Sequence, residues 1–529
     1  MALVDYGAGR ARVLHELGSP NRARDVVEAL LWERGPGRGF PRRLEHEAEV
    51  AAAGADGGSR RDLTGLATFT VDPASARDFD DAVSARRERD GVRLWIHIAD
   101  VAAHVRPGSE LDREAHARAN STYIPGAVEP MLPHALSSGA CSLSPGDERL
   151  GVTTEIELGD GGEARSASFY RSRIRSDARL DYDQLDQIFA GRDVPPSPVA
   201  EPLDLARAAA AALADGRGGS ALEVDSREPE FDFDGEGAVR EARSVPQTEA
   251  HRLIEQLMIL ANEQVAALLE RRRVPTLYRV HEQPDPERIA FLVEQLAELD
   301  VPTPPLPERL SASDAGRLAA DASRMVAAEA ARRGHGREAY TSLVLRSLKQ
   351  AQYSDRNVGH AGLGSAAYCH FTSPIRRYPD LLVHRGLLAA IGAEEEPPRQ
   401  EVAHEAGWHC SEREREASRI ERDADDVCAA FLLERELFEA GWETEFEGEV
   451  SGVVGAGLFT RFGGELGDVY EGFLPARRLR GERFEPNATQ TAQVGTRTGR
   501  AVRLGDPIRV RVERVEAPRG RVDLEPAAG

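Results

Sequence analysis

Two kinds of periodicity divide this chain of 529 residues. Apolar residues at helical spacing, Leu253, Ile254, Leu257, Leu260, Ala261, Val265 and Leu268, predict an amphipathic helix over residues 251–272. The same pattern predicts helices over 286–299, 311–332, 340–352, 380–391 and 403–440, the last densely charged. Elsewhere the period shortens to two. Residues 92–99 alternate and then run apolar, as a buried strand does, and 168–174 reads as another strand. Ser121-Thr-Tyr-Ile-Pro and Pro130-Met-Leu-Pro are loop material, as are the proline-rich 194–199 and the acidic 228–236. After Thr444 the character changes. Residues 446–454, 457–462, 469–473, 507–515 and 521–524 predict five short strands separated by glycines, with no long helix between them, which suggests a small Greek-key barrel of the OB type.

Residues 1–60 read as a small, separate, helical unit. Ser19-Pro20 offers a capping hydroxyl and a first-turn proline, Val26, Val27, Leu30 and Leu31 follow at helical spacing, and Gly35-Pro36-Gly37 stops the helix. A second helix is expected near 42–53, and residues 55–59 read as a linker. Short helices of this kind fit a helix-turn-helix that touches nucleic acid, and equally fit generic helical packing. The expected organisation is multidomain α+β, divided as 1–60, 61–440 and 441–529.

Composition is ordinary for a globular protein, at 41% hydrophobic and 29% charged residues. No apolar run is long enough to span a membrane, and the first residues lack the features of a signal peptide. Cys141, Cys369, Cys410 and Cys428 are scattered without Cys-x-x-Cys pairing, so they read as reduced thiols of a cytoplasmic protein. A net charge of −22 argues, taken alone, against nucleic acid. Arginines nonetheless cluster locally, at 171–179, 271–273 and 376–385, and Lys349 is the only lysine, a bias that arginine-rich codon usage also produces.

Two stretches carry chemistry. Asp72, Asp78, Asp80 and Asp81 fall within ten positions, after a β-prone run from Leu66 to Val71. Crowded carboxylates repel and raise one another's pKa unless cations neutralise them, and Mg²⁺ favours such oxygen ligands together with substrate phosphates. A solvated turn is the bland alternative. A calcium loop would need a central glycine and a glutamate at its twelfth position, and this segment has neither. The second stretch is His370-Phe-Thr-Ser-Pro-Ile-Arg-Arg-Tyr-Pro-Asp380. Ser373-Pro374 is expected to open a helix whose positive end suits phosphate, and Arg376 can fork onto phosphoryl oxygens. An ordinary capped helix with exposed arginines is the competing reading.

With His97-Ile-Ala-Asp-Val-Ala102, Pro130-Met-Leu-Pro133, Cys141-Ser-Leu143 and Leu277-Tyr-Arg-Val-His-Glu282 added in order, residues 62–440 closely resemble the RNB catalytic domain, of mixed α/β fold, of the ribonuclease II / ribonuclease R family. Gly448-Glu-Val, Gly457-Leu-Phe, Glu471-Gly-Phe-Leu and Arg521-Val-Asp-Leu524 resemble that family's S1-type RNA-binding barrel. The resemblance implies a hydrolytic exoribonuclease that degrades single-stranded RNA from the 3′ end to nucleoside 5′-monophosphates. It implies two Mg²⁺ ions, replaceable by Mn²⁺, on Asp72, Asp78, Asp80 and Asp81, with Asp80 and Arg376 catalytic and Arg376 gripping the scissile phosphate. It also implies RNA contacts from Tyr123, Ser373, Arg376 and Arg377. Tyr278 and His281 are candidates for a second aromatic at the 3′ end. No membrane attachment or obligate protein partner is expected, and a monomer is the expected state, although the sequence itself does not give the oligomeric state. The family's two leading cold-shock barrels do not fit in residues 1–60, where a helix-turn-helix-like variant is expected instead. Barrel aromatics Phe446, Phe459, Phe462, Tyr470 and Phe473 divide between core and RNA in a way the sequence leaves open. An inactive RNB scaffold, a module using the barrel alone, and another metal nuclease are the rivals.

Overall fold

The computed structural model describes residues 1–7, 10–54, 58–217, 222, 228–393, 395–464 and 469–527. Its centre is a seven-stranded sheet in the order Ala178–Asp181, Phe69–Asp72, Asp81–Glu88, Gly91–Ala99, Glu148–Leu158, Ala164–Arg175, Arg61–Asp62. The two outermost pairings are parallel and the inner ones antiparallel. Gly91–Ala99 lies in the middle and is buried along almost its whole length, because helices Ala200–Arg217 and Glu249–Arg272 cover the sheet. This explains why its sequence runs apolar instead of alternating. At its end Asp100, fully buried, accepts hydrogen bonds from Arg60 at 2.7 Å and Arg171 at 2.9 Å.

The predicted helices form with small shifts at their ends, as Glu249–Arg272, Pro286–Glu298, Ala312–Arg333, Tyr378–Ala390 and Gln400–Ala440. Ser311 caps the third through a reciprocal capping box with Asp314. The helix expected over 340–352 begins and ends earlier, as Arg337–Ser347, and residues Gln352–Ser354 instead pair as a strand with Tyr278–Val280. The acidic stretch read as a loop is a hairpin, Glu228–Phe233 with Val239–Val245.

The C-terminal strands Glu445–Val454, Gly457–Phe462, Tyr470–Pro475, Arg521–Pro526 and Pro507–Glu516 close into a five-stranded barrel in that order. Gly448 is required by close strand approach: a Cβ there would lie 2.4 Å from the Arg461 carbonyl oxygen. A three-stranded sheet, Phe484–Pro486, Ala492–Gly495 and Ala501–Arg503, is inserted between barrel strands and was not expected.

The N-terminal segment departs most from expectation. It opens with a β-hairpin, Ala2–Gly7 with Arg10–Glu16, and only then forms helices Ala23–Arg34 and Arg42–Gly54. Ser19-Pro20 precedes the first helix in a turn, and the N-cap is Arg22, whose side chain makes no capping bond. Leu44 and Ala48 enter the hydrophobic core of the central sheet. Val26, Val27 and Leu31 enter a second core, shared with the barrel and with helices Pro286–Glu298, Arg337–Ser347 and Gln400–Ala440. Of the expected linker, residues 55–57 lie outside the described residues. Among the described residues no helix is long and apolar enough to cross a membrane.

Candidate active site

Asp72 ends one strand of the central sheet and Asp81 begins the next. These strands pair only at Phe69 and Val83, so the two arms part and the loop between them carries Asp78 and Asp80. Asp80 is buried, and its Oδ1 accepts the Ile375 N–H at 2.8 Å. Its Oδ2 lies 3.6 Å from Arg376 Nε. One carboxylate oxygen each of Asp72, Asp80 and Asp81 is buried without a hydrogen-bond partner. Burial, and then the charges of Asp81 and Asp78, push Asp72 up to about 8. Burial likewise pushes Asp81 up to about 7, against the pull of Arg376 and Arg377, and holds Asp80 well above the ordinary carboxylate range.

The turn that faces these aspartates is fixed from two sides. Asn262 on helix Glu249–Arg272 accepts the Phe371 N–H at 2.8 Å and donates to the Tyr368 hydroxyl at 3.1 Å. On the other side Ser121 N–H donates to the Arg376 carbonyl at 2.9 Å, which draws the Tyr123 segment alongside. Ser373-Pro374 does not open the helix as expected. A turn follows it, and the helix begins at Tyr378 with Pro379 in its first turn. The Ser373 N–H is bound by the Asp380 carboxylate at 2.8 Å and the Ile375 N–H by Asp80. These two donors of the turn therefore orient carboxylates and are not free for phosphate. Arg377 forks onto Asp380 at 2.8 and 2.7 Å. Arg376 is more open, its side chain 44% exposed and held by Ser373 Oγ at 3.2 Å.

Tyr123 is on a short hairpin, Thr122–Ile124 with Ala127–Glu129, and is 38% exposed between buried neighbours. Its N–H donates to Glu421 on the long helix at 2.9 Å and its hydroxyl to Asp78 at 3.4 Å. A cavity of about 3430 Å³ joins the four aspartates, Tyr123, Ser373, Arg376 and Arg377 to the barrel residues Glu449, Arg461 and Tyr470. Tyr278 and His281 do not line it: both are buried, Tyr278 in the core of the sheet, and His281 accepts the Gly362 N–H at 3.1 Å. The aromatic rings beside Tyr123 in the cavity wall include Tyr182, Phe231 and Tyr368. Tyr182 stacks on His251 at 3.9 Å between ring centroids, and burial, followed by the charges of Asp81 and Asp72, raises its pKa. Sequence reading missed Tyr182, His251, Glu255 and Glu421, which distant elements bring to the wall.

Among the described residues no three or more His, Cys, Asp or Glu side chains form a ready-made metal cage. The donor set nevertheless suits a hard divalent cation: three buried, unpartnered carboxylate oxygens whose ionisation burial opposes are the oxygen ligands such a cation requires.

The RNB domain family model matches residues 60–393. Ribonuclease R of Aquifex aeolicus is 34% identical over 533 positions, covering 98% of this chain and 72% of the relative. Ribonuclease R of Escherichia coli is 35% identical over 500 positions, covering 91% of this chain but only 58% of the relative. Among solved structures, Mycoplasma genitalium RNase R in complex with ribose methylated single-stranded RNA superposes with a TM-score of 0.87 at 26% identity, over 98% of this chain and 80% of that one. Yeast Ssd1, a pseudonuclease, shares the fold with a TM-score of 0.67 at 18% identity, over 91% of this chain and 59% of that one. With the RNB model matching residues 60–393 and the two ribonuclease R relatives 34–35% identical, the chain belongs to the RNB ribonuclease family.

Proposed function

We propose that the protein is a hydrolytic 3′-to-5′ exoribonuclease that degrades single-stranded RNA to nucleoside 5′-monophosphates. The observation that carries this reading is the set of three unpartnered carboxylate oxygens beside Arg376, at the wall of a cavity that continues to the barrel. Asp72, Asp80 and Asp81, with Asp78, would hold two Mg²⁺ ions, or Mn²⁺ in their place. When bound, such ions activate water and neutralise charge on the leaving oxygen.

The chain's own residues prepare that chemistry. Asp80 is oriented through Oδ1 by the Ile375 N–H, which leaves Oδ2 facing the site. Arg376, partly exposed and tethered to Ser373, has N–H groups free to fork onto a phosphoryl oxygen and offset charge in the transition state. Tyr123 presents its ring to the cavity at the height of Asp78, where a 3′-terminal base would stack. Arg377 acts through Asp380 and the turn. Residues 61–440 would be the catalytic part and 441–529 an S1-type RNA holder. The four cysteines are buried and unpaired, which supports a cytoplasmic setting, and we take the active form to be a monomer.

The test is a 5′-labelled single strand, as RNA and as DNA of the same sequence, incubated with Mg²⁺ or with EDTA. Stepwise shortening of RNA from its 3′ end with Mg²⁺, and none with EDTA, is the expected result. Intact RNA throughout would mean an inactive RNB protein, while internal fragments or cut DNA would mean a different nuclease.

A further inference from the structure

The strand ladder does not set the distance between Asp72 and the other three aspartates. Its only rung between their strands is Phe69–Val83, and both arms run on past it unpaired to each other. On the other side of the Asp72 strand, Ala178–Asp181 pairs in parallel, with Arg179 opposite Thr70 and Asp181 opposite Asp72. From there the Arg179 guanidinium reaches over the loop. Its Nη2 donates to the Pro73 carbonyl at 3.0 Å and the Ala74 carbonyl at 2.7 Å, immediately after Asp72. Its Cζ lies 5.2 Å from the centroid of Phe79, between Asp78 and Asp80. Phe79 is itself anchored, its N–H donating to Ser142 Oγ at 3.0 Å and its carbonyl accepting the Leu143 N–H at 2.9 Å.

The geometry points to Arg179 as a positioning residue that clasps both arms of the aspartate loop and fixes the spacing at which the four carboxylates meet a divalent cation. This rests on the reading of those aspartates as metal ligands. Nη2 alone donates to both carbonyls while the flat guanidinium lies over the ring; a lysine ammonium can donate to two carbonyls but has no planar face to cover Phe79. The charge of Arg179 also partly offsets the crowding at Asp72. Its Nε is buried without a partner, a cost that a merely solvating surface arginine would not bear.

The test is Mn²⁺ binding to the full chain without RNA, followed by electron paramagnetic resonance, for the parent, Arg179→Lys, Arg179→Met and Asp72→Asn, with Arg179→Gly made for the rescue experiment. Both Arg179 variants should bind Mn²⁺ about tenfold or more weakly, the range seen when a residue supporting a metal ligand is lost. The Mn²⁺ needed for half-maximal cleavage should rise in step, KM for RNA should not move, and guanidinium added to Arg179→Gly should restore binding. Should Arg179→Met fail to fold, Arg179→Lys decides. Binding that falls in Asp72→Asn but matches the parent in the Arg179 variants overturns this inference alone. No Mn²⁺ binding by the parent, or unchanged binding in Asp72→Asn, overturns the reading of the aspartates and the inference with it.

Discussion

Asp80 shows how single residues divide the work at this site. One of its oxygens is fixed by the backbone of Ile375, and the other, 3.6 Å from Arg376 Nε, is buried without a hydrogen-bond partner. Asp80→Asn keeps the size and the backbone bond but removes the charge. Cleavage under single-turnover conditions should fall by about a thousandfold, the scale of a lost charge-stabilising group, while RNA affinity stays at the parent's level. Cleavage at the parent's rate would remove Asp80 from the mechanism. That the aspartates, Arg376 and Tyr123 gather at one cavity was legible in the sequence because each lies in a dense local motif. Tyr278 and His281 belong to an equally dense motif, but the fold buries both and sets them off the cavity wall, which the motif does not record. Tyr182, Glu255 and Glu421 were invisible because their place in the wall depends on how separate helices pack, which no local spacing records.

At the level of elements, periodicity located most helices and the five barrel strands, since each buries one face and shows it in sequence. The two hairpins, at 2–16 and 228–245, were missed for a physical reason. They lie near the surface, and their alternation is weak or hidden by acidic residues. The barrel aromatics illustrate what register adds. Phe459 pairs with Phe473, Leu458 with Leu474, and Phe462 with Tyr470. Alternation and barrel curvature send Phe462 and Tyr470 inward, both buried, and leave Phe459 37% exposed with Phe473 half-buried against it at 5.3 Å. We read that outward pair as a platform on which a base could stack, an interaction that contributes about 1–3 kcal/mol per base. Phe459→Ala with Phe473→Ala should weaken single-stranded RNA binding by about tenfold in fluorescence anisotropy, with the rate of cleavage of saturating RNA unchanged. Unaltered affinity would show that RNA passes elsewhere.

Over the whole molecule, buried charge joins segments far apart in the chain. Asp100 holds Arg60 and Arg171, and Arg171 reaches on to Glu395. Burial pushes the Asp100 carboxyl up, but the charges of Arg171 and Arg60 outweigh it and hold the group below the ordinary carboxylate range. A carboxyl with a lowered folded-state pKa stabilises the fold above its unfolded pKa of about 3.9 and loses that contribution as pH falls through the folded value. Asp100→Asn should therefore cost about 3 kcal/mol at pH 7, because it leaves Arg60 buried without a counter-charge and Arg171 with Glu395 alone. The deficit should narrow towards pH 3 in a urea denaturation series. A deficit that is constant with pH would show that the loss is one of shape and not of charge.

The core that the barrel shares with the helices around it carries a further meaning. Val450, Leu458 and Leu474 of the barrel wall pack in the same apolar mass as Leu292, Leu343 and Leu433. The barrel is thus a fitted stone in a masonry arch and not a tool hung on a hook. Replacing it with a different domain would require recutting its helical neighbours at the same time.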